Sequence, residues 1–96
     1  MDMGENIIHL NESFEYKLMR QGNTAEVFLY DETKILKLFG IDFPLEIVLV
    51  EFDIAKRLSS DLIFVPKVFG LAEYKNRYGI LYEKIEGNDM IADMLH

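Results

Sequence analysis

Thr33-Lys34-Ile35-Leu36-Lys37-Leu38-Phe39 sets a lysine in the middle of an otherwise apolar run, and the rest of the chain is best understood outward from it. Alternation at period two puts Ile35, Lys37 and Phe39 on one face of a strand and Leu36 and Leu38 on the other. An ammonium on an apolar face needs a carboxylate. Glu51, fourteen residues downstream, is the candidate. Upstream lies Arg20-Gln21-Gly22-Asn23-Thr24-Ala25-Glu26-Val27, with a small-residue turn at its centre. A strand lysine, steadied by a helix carboxylate and roofed by such a turn, suits the phosphates of a nucleotide.

Strand-like alternation begins at Phe14, with Phe14, Tyr16, Leu18 and Arg20 on one face. Gly22-Asn23 turns the chain, and Ala25, Val27 and Leu29 then alternate with Glu26, Phe28 and Tyr30. Asp31-Glu32 is a short gap before residues 34–39, which predicts antiparallel pairing. Pro44 suits the first position of a helix, where its missing N–H costs nothing. That helix is expected to run to about Leu58, with Ser59-Ser60-Asp61 breaking it. Ile47-Val48-Leu49-Val50 alone also fits a buried strand, but length and polar spacing favour helix. On a helical projection Glu46, Asp53 and Arg57 form a solvent stripe about 40° wide. Glu51 projects about 140° from Glu46, among Ile47, Ile54 and Leu58, which are expected to form the apolar face. A second hairpin follows, residues 67–74 and 77–84 around Lys75-Asn76, and residues 90–95 begin another helix. The expected fold is α+β: a five-stranded antiparallel sheet in the order β-β-β-α-β-β with one packed helix and a C-terminal helical stub.

The chain has 96 residues, half of them apolar or aromatic, enough for one domain of modest stability. Residues 1–13 read as an arm, 14–87 as the folded unit and 88–96 as the start of the stub. The longest apolar runs fall far short of the roughly 20 residues needed to cross a bilayer. The acidic N-terminus is unlike a secretory signal, so no membrane partner and a cytoplasmic location are expected. Absence of cysteine excludes disulfides and thiolate metal sites. Ten basic residues against 17 acidic give a net charge of −7, with the basic ones scattered, which argues against nucleic acid. An acidic surface could attract a cationic substrate such as an aminoglycoside, though solubility is the favoured explanation of the charge. His9 and His96 have no neighbours at ligand spacing, so no metal site is expected.

Glu51 and Lys37 have a plainer alternative, in which Glu51 reaches water at the edge of the apolar face and Lys37 is an ordinary strand lysine. Lys34 competes for the functional role but lies off the Ile35, Lys37, Phe39 face. Gly22-Asn23-Thr24-Ala25 leaves backbone N–H groups accessible to phosphate oxygens, yet the same residues make an ordinary hairpin turn.

Taken in order, these features resemble the N-terminal lobe of the aminoglycoside phosphotransferase and protein-kinase-like superfamily, from about Phe14 to Met94. Gly22-Asn23-Thr24-Ala25-Glu26-Val27 looks like its shortened phosphate-binding loop, Ile35-Leu36-Lys37-Leu38-Phe39 like its lysine strand, and the segment from Glu51 to Leu58 like the helix bearing the partner glutamate. Val65-Pro66-Lys67-Val68-Phe69-Gly70 resembles the approach to its fourth strand, and the segment from Gly79 to Gly87 its fifth strand and hinge. The resemblance implies ATP as cofactor. Lys37 would hold the α- and β-phosphates, Glu51 would orient Lys37, and Val27 and Ile35 would cover the adenine. Tyr82 would close the back of the pocket, and the Glu83 carbonyl and Ile85 N–H would bond the adenine edge.

The superfamily places its catalytic aspartate and magnesium ligands in a larger second lobe, whose motifs do not occur here: Asp42-Phe43-Pro44 precedes the helix, and no His-Xaa-Asp follows Gly87. The expectation is a parent phosphotransferase, with this chain not catalytic alone and no metal ligands in it. The alternative is a free-standing, non-catalytic module that binds a nucleotide or a protein. An apolar surface left bare by a missing lobe would favour self-association.

Overall fold

The computed structural model describes residues 7–13, 15–61 and 65–84. Among these residues the fold is α+β: one mixed six-stranded sheet with one helix across it. The elements are β1 (Ile7–His9), β2 (Lys17–Gln21), β3 (Ala25–Leu29), β4 (Lys34–Phe39), α1 (Leu45–Asp61), β5 (Val68–Tyr74) and β6 (Arg77–Glu83). Their spatial order is β1-β5-β6-β4-β3-β2. Residues 88–96, expected to begin a helix, lie outside the described residues, as do Phe14 and Ile85.

The expected five antiparallel strands need correction. β1 lies in the supposed N-terminal arm and adds a sixth strand, parallel to β5, with Ile7 opposite Leu71 and His9 opposite Glu73. Three residues are too few for alternation to register, and their pairing partner is more than sixty residues away in the chain. Once paired, Ile7 packs on the core, and the His9 ring lies 2.7 Å from the Glu73 carboxylate.

β2 is shorter than expected and exposed along its length. A one-residue bulge at Met19 separates the Leu18–Phe28 and Arg20–Val27 pairs, so Leu18 and Arg20 do not continue one alternating face. The other hairpins match expectation: β3 pairs with β4 across 31–33, and β5 with β6 across Lys75-Asn76. Lys75 and Asn76 adopt φ of 52° and 64°, the left-handed pair that a tight two-residue hairpin requires.

The sheet has two covered faces. On the α1 side, Ala25, Val27, Ile35, Phe39, Leu71, Ile80 and Tyr82 pack against Val48 and Phe52. On the other, Leu36, Leu38, Ala72, Tyr74 and Leu81 are covered by Leu10, Tyr16, Phe28 and Tyr30. The Tyr16 ring stacks on Tyr30 at 5.5 Å and meets Tyr74 edge-on at 5.4 Å. Central strand β4 is therefore buried on both faces, which its apolar run, interrupted by Lys37, reflects.

α1 begins one residue later than expected. The Pro44 carbonyl accepts from the Ile47 and Val48 N–H groups, placing Pro44 at the cap. Ser59 does not end the helix. Its hydroxyl donates to the Lys56 carbonyl at 3.1 Å, and α1 continues to Asp61. Glu46, Asp53 and Arg57 are exposed as expected, but Ile47, Ile54 and Leu58 are exposed too. The buried side is Val48 and Phe52, flanked by Leu45, Leu49 and Ala55. Apolar residues surround most of the helix, so the pattern alone could not select which stripe meets the sheet.

Candidate functional site

Lys37 projects from β4 toward α1 and is 5% exposed, the one charged residue buried among those described. Its Nζ donates to Glu51 Oε2 at 2.8 Å. The Tyr82 hydroxyl, from β6, donates to the same oxygen at 3.0 Å. One carboxylate oxygen thus ties β4, β6 and α1 together. Phe39, two residues along the strand, lies under the ammonium at 5.2 Å from Nζ to ring centre. Burial, first, and then the adjacent Glu51 carboxylate push the Tyr82 hydroxyl well above the ordinary tyrosine range, so it acts as a donor.

The pair exists because each partner solves the other's problem. Lys37 cannot reach water, so its charge needs a close counter-ion. Glu51 is one-third exposed at the rim of the helix and keeps some solvent. Of the two outcomes open for Glu51 in the sequence, the paired one is adopted. Lys34, the competing lysine, instead sits 3.5 Å from Asp31 and over the Phe69 ring.

The turn that would roof the site runs from Gln21 to Ala25 between β2 and β3. Its Gly22 N–H donates to the Ala25 carbonyl at 2.9 Å, and the Gly40 N–H to the Thr24 carbonyl at 3.2 Å. The first of these uses a backbone N–H that the sequence suggested for phosphate. A cavity of about 360 Å³ opens beside the turn, lined by residues 21–26, Gly40, Ile41 and Arg77, without Lys37 or Glu51.

Val27 and Ile35 are 0% and 1% exposed in the cluster under α1, so an adenine ring would meet them only after that packing opens. Tyr82 belongs to the same cluster. Glu83 ends β6 with its N–H bonded to the Lys67 carbonyl at 2.8 Å and its carboxylate accepting from the Lys67 N–H at 3.2 Å.

Two contributors escaped the sequence. Gly79 lies beside Lys37 on the neighbouring strand, and a Cβ there would fall 2.5 Å from the Lys37 carbonyl oxygen. The glycine lets β6 approach the backbone of the lysine strand. Arg77, on the opposite sheet face, donates to Glu26 at 2.8 Å and to the carbonyls of Phe39 at 2.8 Å and Leu38 at 3.3 Å. It clamps the start of β3 to the end of β4. Period-two alternation put Glu26 on that face, but pairing across fifty-one residues has no local signal.

Among the described residues no three potential metal ligands cluster, and no helix is long and apolar enough to cross a membrane. No protein-family model, curated protein or solved structure matches the chain.

Proposed function

We propose that this chain forms the nucleotide-holding lobe of an ATP-dependent small-molecule phosphotransferase of the aminoglycoside type. The observation that carries the reading is the Lys37–Glu51 pair, a strand ammonium fixed by a helix carboxylate at 2.8 Å. Lys37 holds the α- and β-phosphates, Glu51 aims it, and the turn at 22–25 covers them. Tyr82 closes the back of the pocket, and the Glu83 carbonyl and Ile85 N–H take the adenine edge. The catalytic base and magnesium ligands belong to a second lobe, and the present chain alone gives no turnover.

A second reading is favoured by the enclosure of Val27 and Ile35 and by the engaged Gly22 N–H. In it the chain is a non-catalytic interaction module, and the ion pair serves only to join helix to sheet. NMR titration with Mg·ATP and with ADP separates the two. The first reading expects shifts at residues 22–27, Lys37 and 83–85 that weaken in Lys37→Ala. Silence at about 1 mM nucleotide, where even a weak site of that Kd would be half filled, would leave the second.

A further inference from the structure

We propose that the outer face of α1 is a homodimer contact, occupied by α1 of a second copy in antiparallel orientation. Ile47, Val50, Ile54 and Leu58 are 52%, 57%, 51% and 44% exposed and fall within a wedge about 80° wide. A row of half-exposed branched side chains on one helix face is the pattern of a surface that is covered in use. The inference does not depend on nucleotide binding.

Spacing and charge point to a second copy. In an antiparallel crossing centred on the stripe, Ile47 meets Leu58 of the second copy and Val50 meets its Ile54. The remaining contacts follow by two-fold symmetry. The charges along the stripe are ordered as well, with Glu46 in the first turn of α1 and Arg57 near its end. Both are exposed and lie on the same flank. Antiparallel docking brings each Glu46 toward the other copy's Arg57, which keeps its 2.9 Å bond to Asp53. Parallel docking about a two-fold axis along the helices would put these flanks on opposite sides of the contact and bring neither residue to the other copy's charge. The antiparallel form also sets the two helix dipoles head to tail. Four side chains make a contact smaller than the roughly 1,200–2,000 Å² of standard interfaces, and the −7 charge on each copy opposes approach. The dimer is accordingly weak and concentration-dependent.

Sedimentation equilibrium of the full chain, up to about 1 mM, is expected to show reversible dimerisation that Ile54→Glu weakens at least tenfold. Circular dichroism of that variant should be unchanged, because the side chain lies outside the core. The chain has no cysteine, so Ile47→Cys and Leu58→Cys can be mixed and oxidised without background. The mixed disulfide should form faster than either homodisulfide. A monomer at every concentration overturns the proposal and leaves the stripe to a further segment or another protein. A dimer indifferent to Ile54→Glu overturns the face, and dominant homodisulfides overturn the antiparallel register.

Discussion

Lys37, Glu51 and Tyr82 form one electrostatic unit, because two donors share Glu51 Oε2. Removing one member of a buried pair strands the other, whereas replacing both partners by neutral groups is often harmless. Glu51→Gln should therefore cost about 2 kcal/mol, below the figure for fully buried pairs because the carboxylate is one-third exposed. Lys37→Met combined with Glu51→Gln should recover most of that loss, as read by urea unfolding. Nucleotide-induced shifts, where present, should not return in the double variant. Tyr82 adds a pH dependence of defined sign. Burial and Glu51 raise its pKa in the folded state, so the unfolded chain loses this proton first as pH climbs. The stability involved is intact below the ordinary tyrosine value of about 10 and declines above it. Tyr82→Phe should flatten that alkaline decline, while costing about 1 kcal/mol at neutral pH for the lost hydrogen bond. An equally steep decline in the variant would assign the effect to other groups.

At the scale of elements, β4 owes its central place to apolar residues on both faces, and that much was written in residues 34–39. Its neighbours illustrate how far local pattern reaches. The β5–β6 hairpin followed from Lys75-Asn76 and the alternation around it, because a two-residue turn joins strands adjacent in the chain. The bulges at Met19 and Phe69 did not follow, since one unpaired residue is set by fit against the partner strand. Gly79 belongs here too: it is the point where β6 meets the Lys37 backbone. Gly79→Ala should force the strands apart and cost about 2 kcal/mol, within the usual range for overpacking. Its amide spectrum should change most at Lys37 and Ile80; changes scattered evenly over the sheet would contradict a local clash.

Across the whole molecule, β1 closes the β5 edge from the far end of the chain, so residues 7–10 contribute to the fold although they read as part of an arm. Deleting residues 1–10 should lower stability by about 2 kcal/mol, from the partial burial of Ile7 and Leu10 together, and should promote association through the bared β5 edge. Unchanged unfolding midpoints would show β1 to be dispensable. The sequence by itself determined the α+β class, the β3–β4 and β5–β6 hairpins and the α1 position, and it offered Glu51 as the candidate partner of Lys37. Each rests on spacing within a few residues of chain, or on the cost of leaving one charge unpartnered. Only the tertiary structure decided the sixth, parallel strand, the stripe of α1 that is buried, the enclosure of Val27 and Ile35, and the roles of Arg77, Gly79 and the Tyr82 hydroxyl. Those depend on contacts between residues far apart in sequence, where the fit of one surface against another selects among arrangements that local pattern leaves equal.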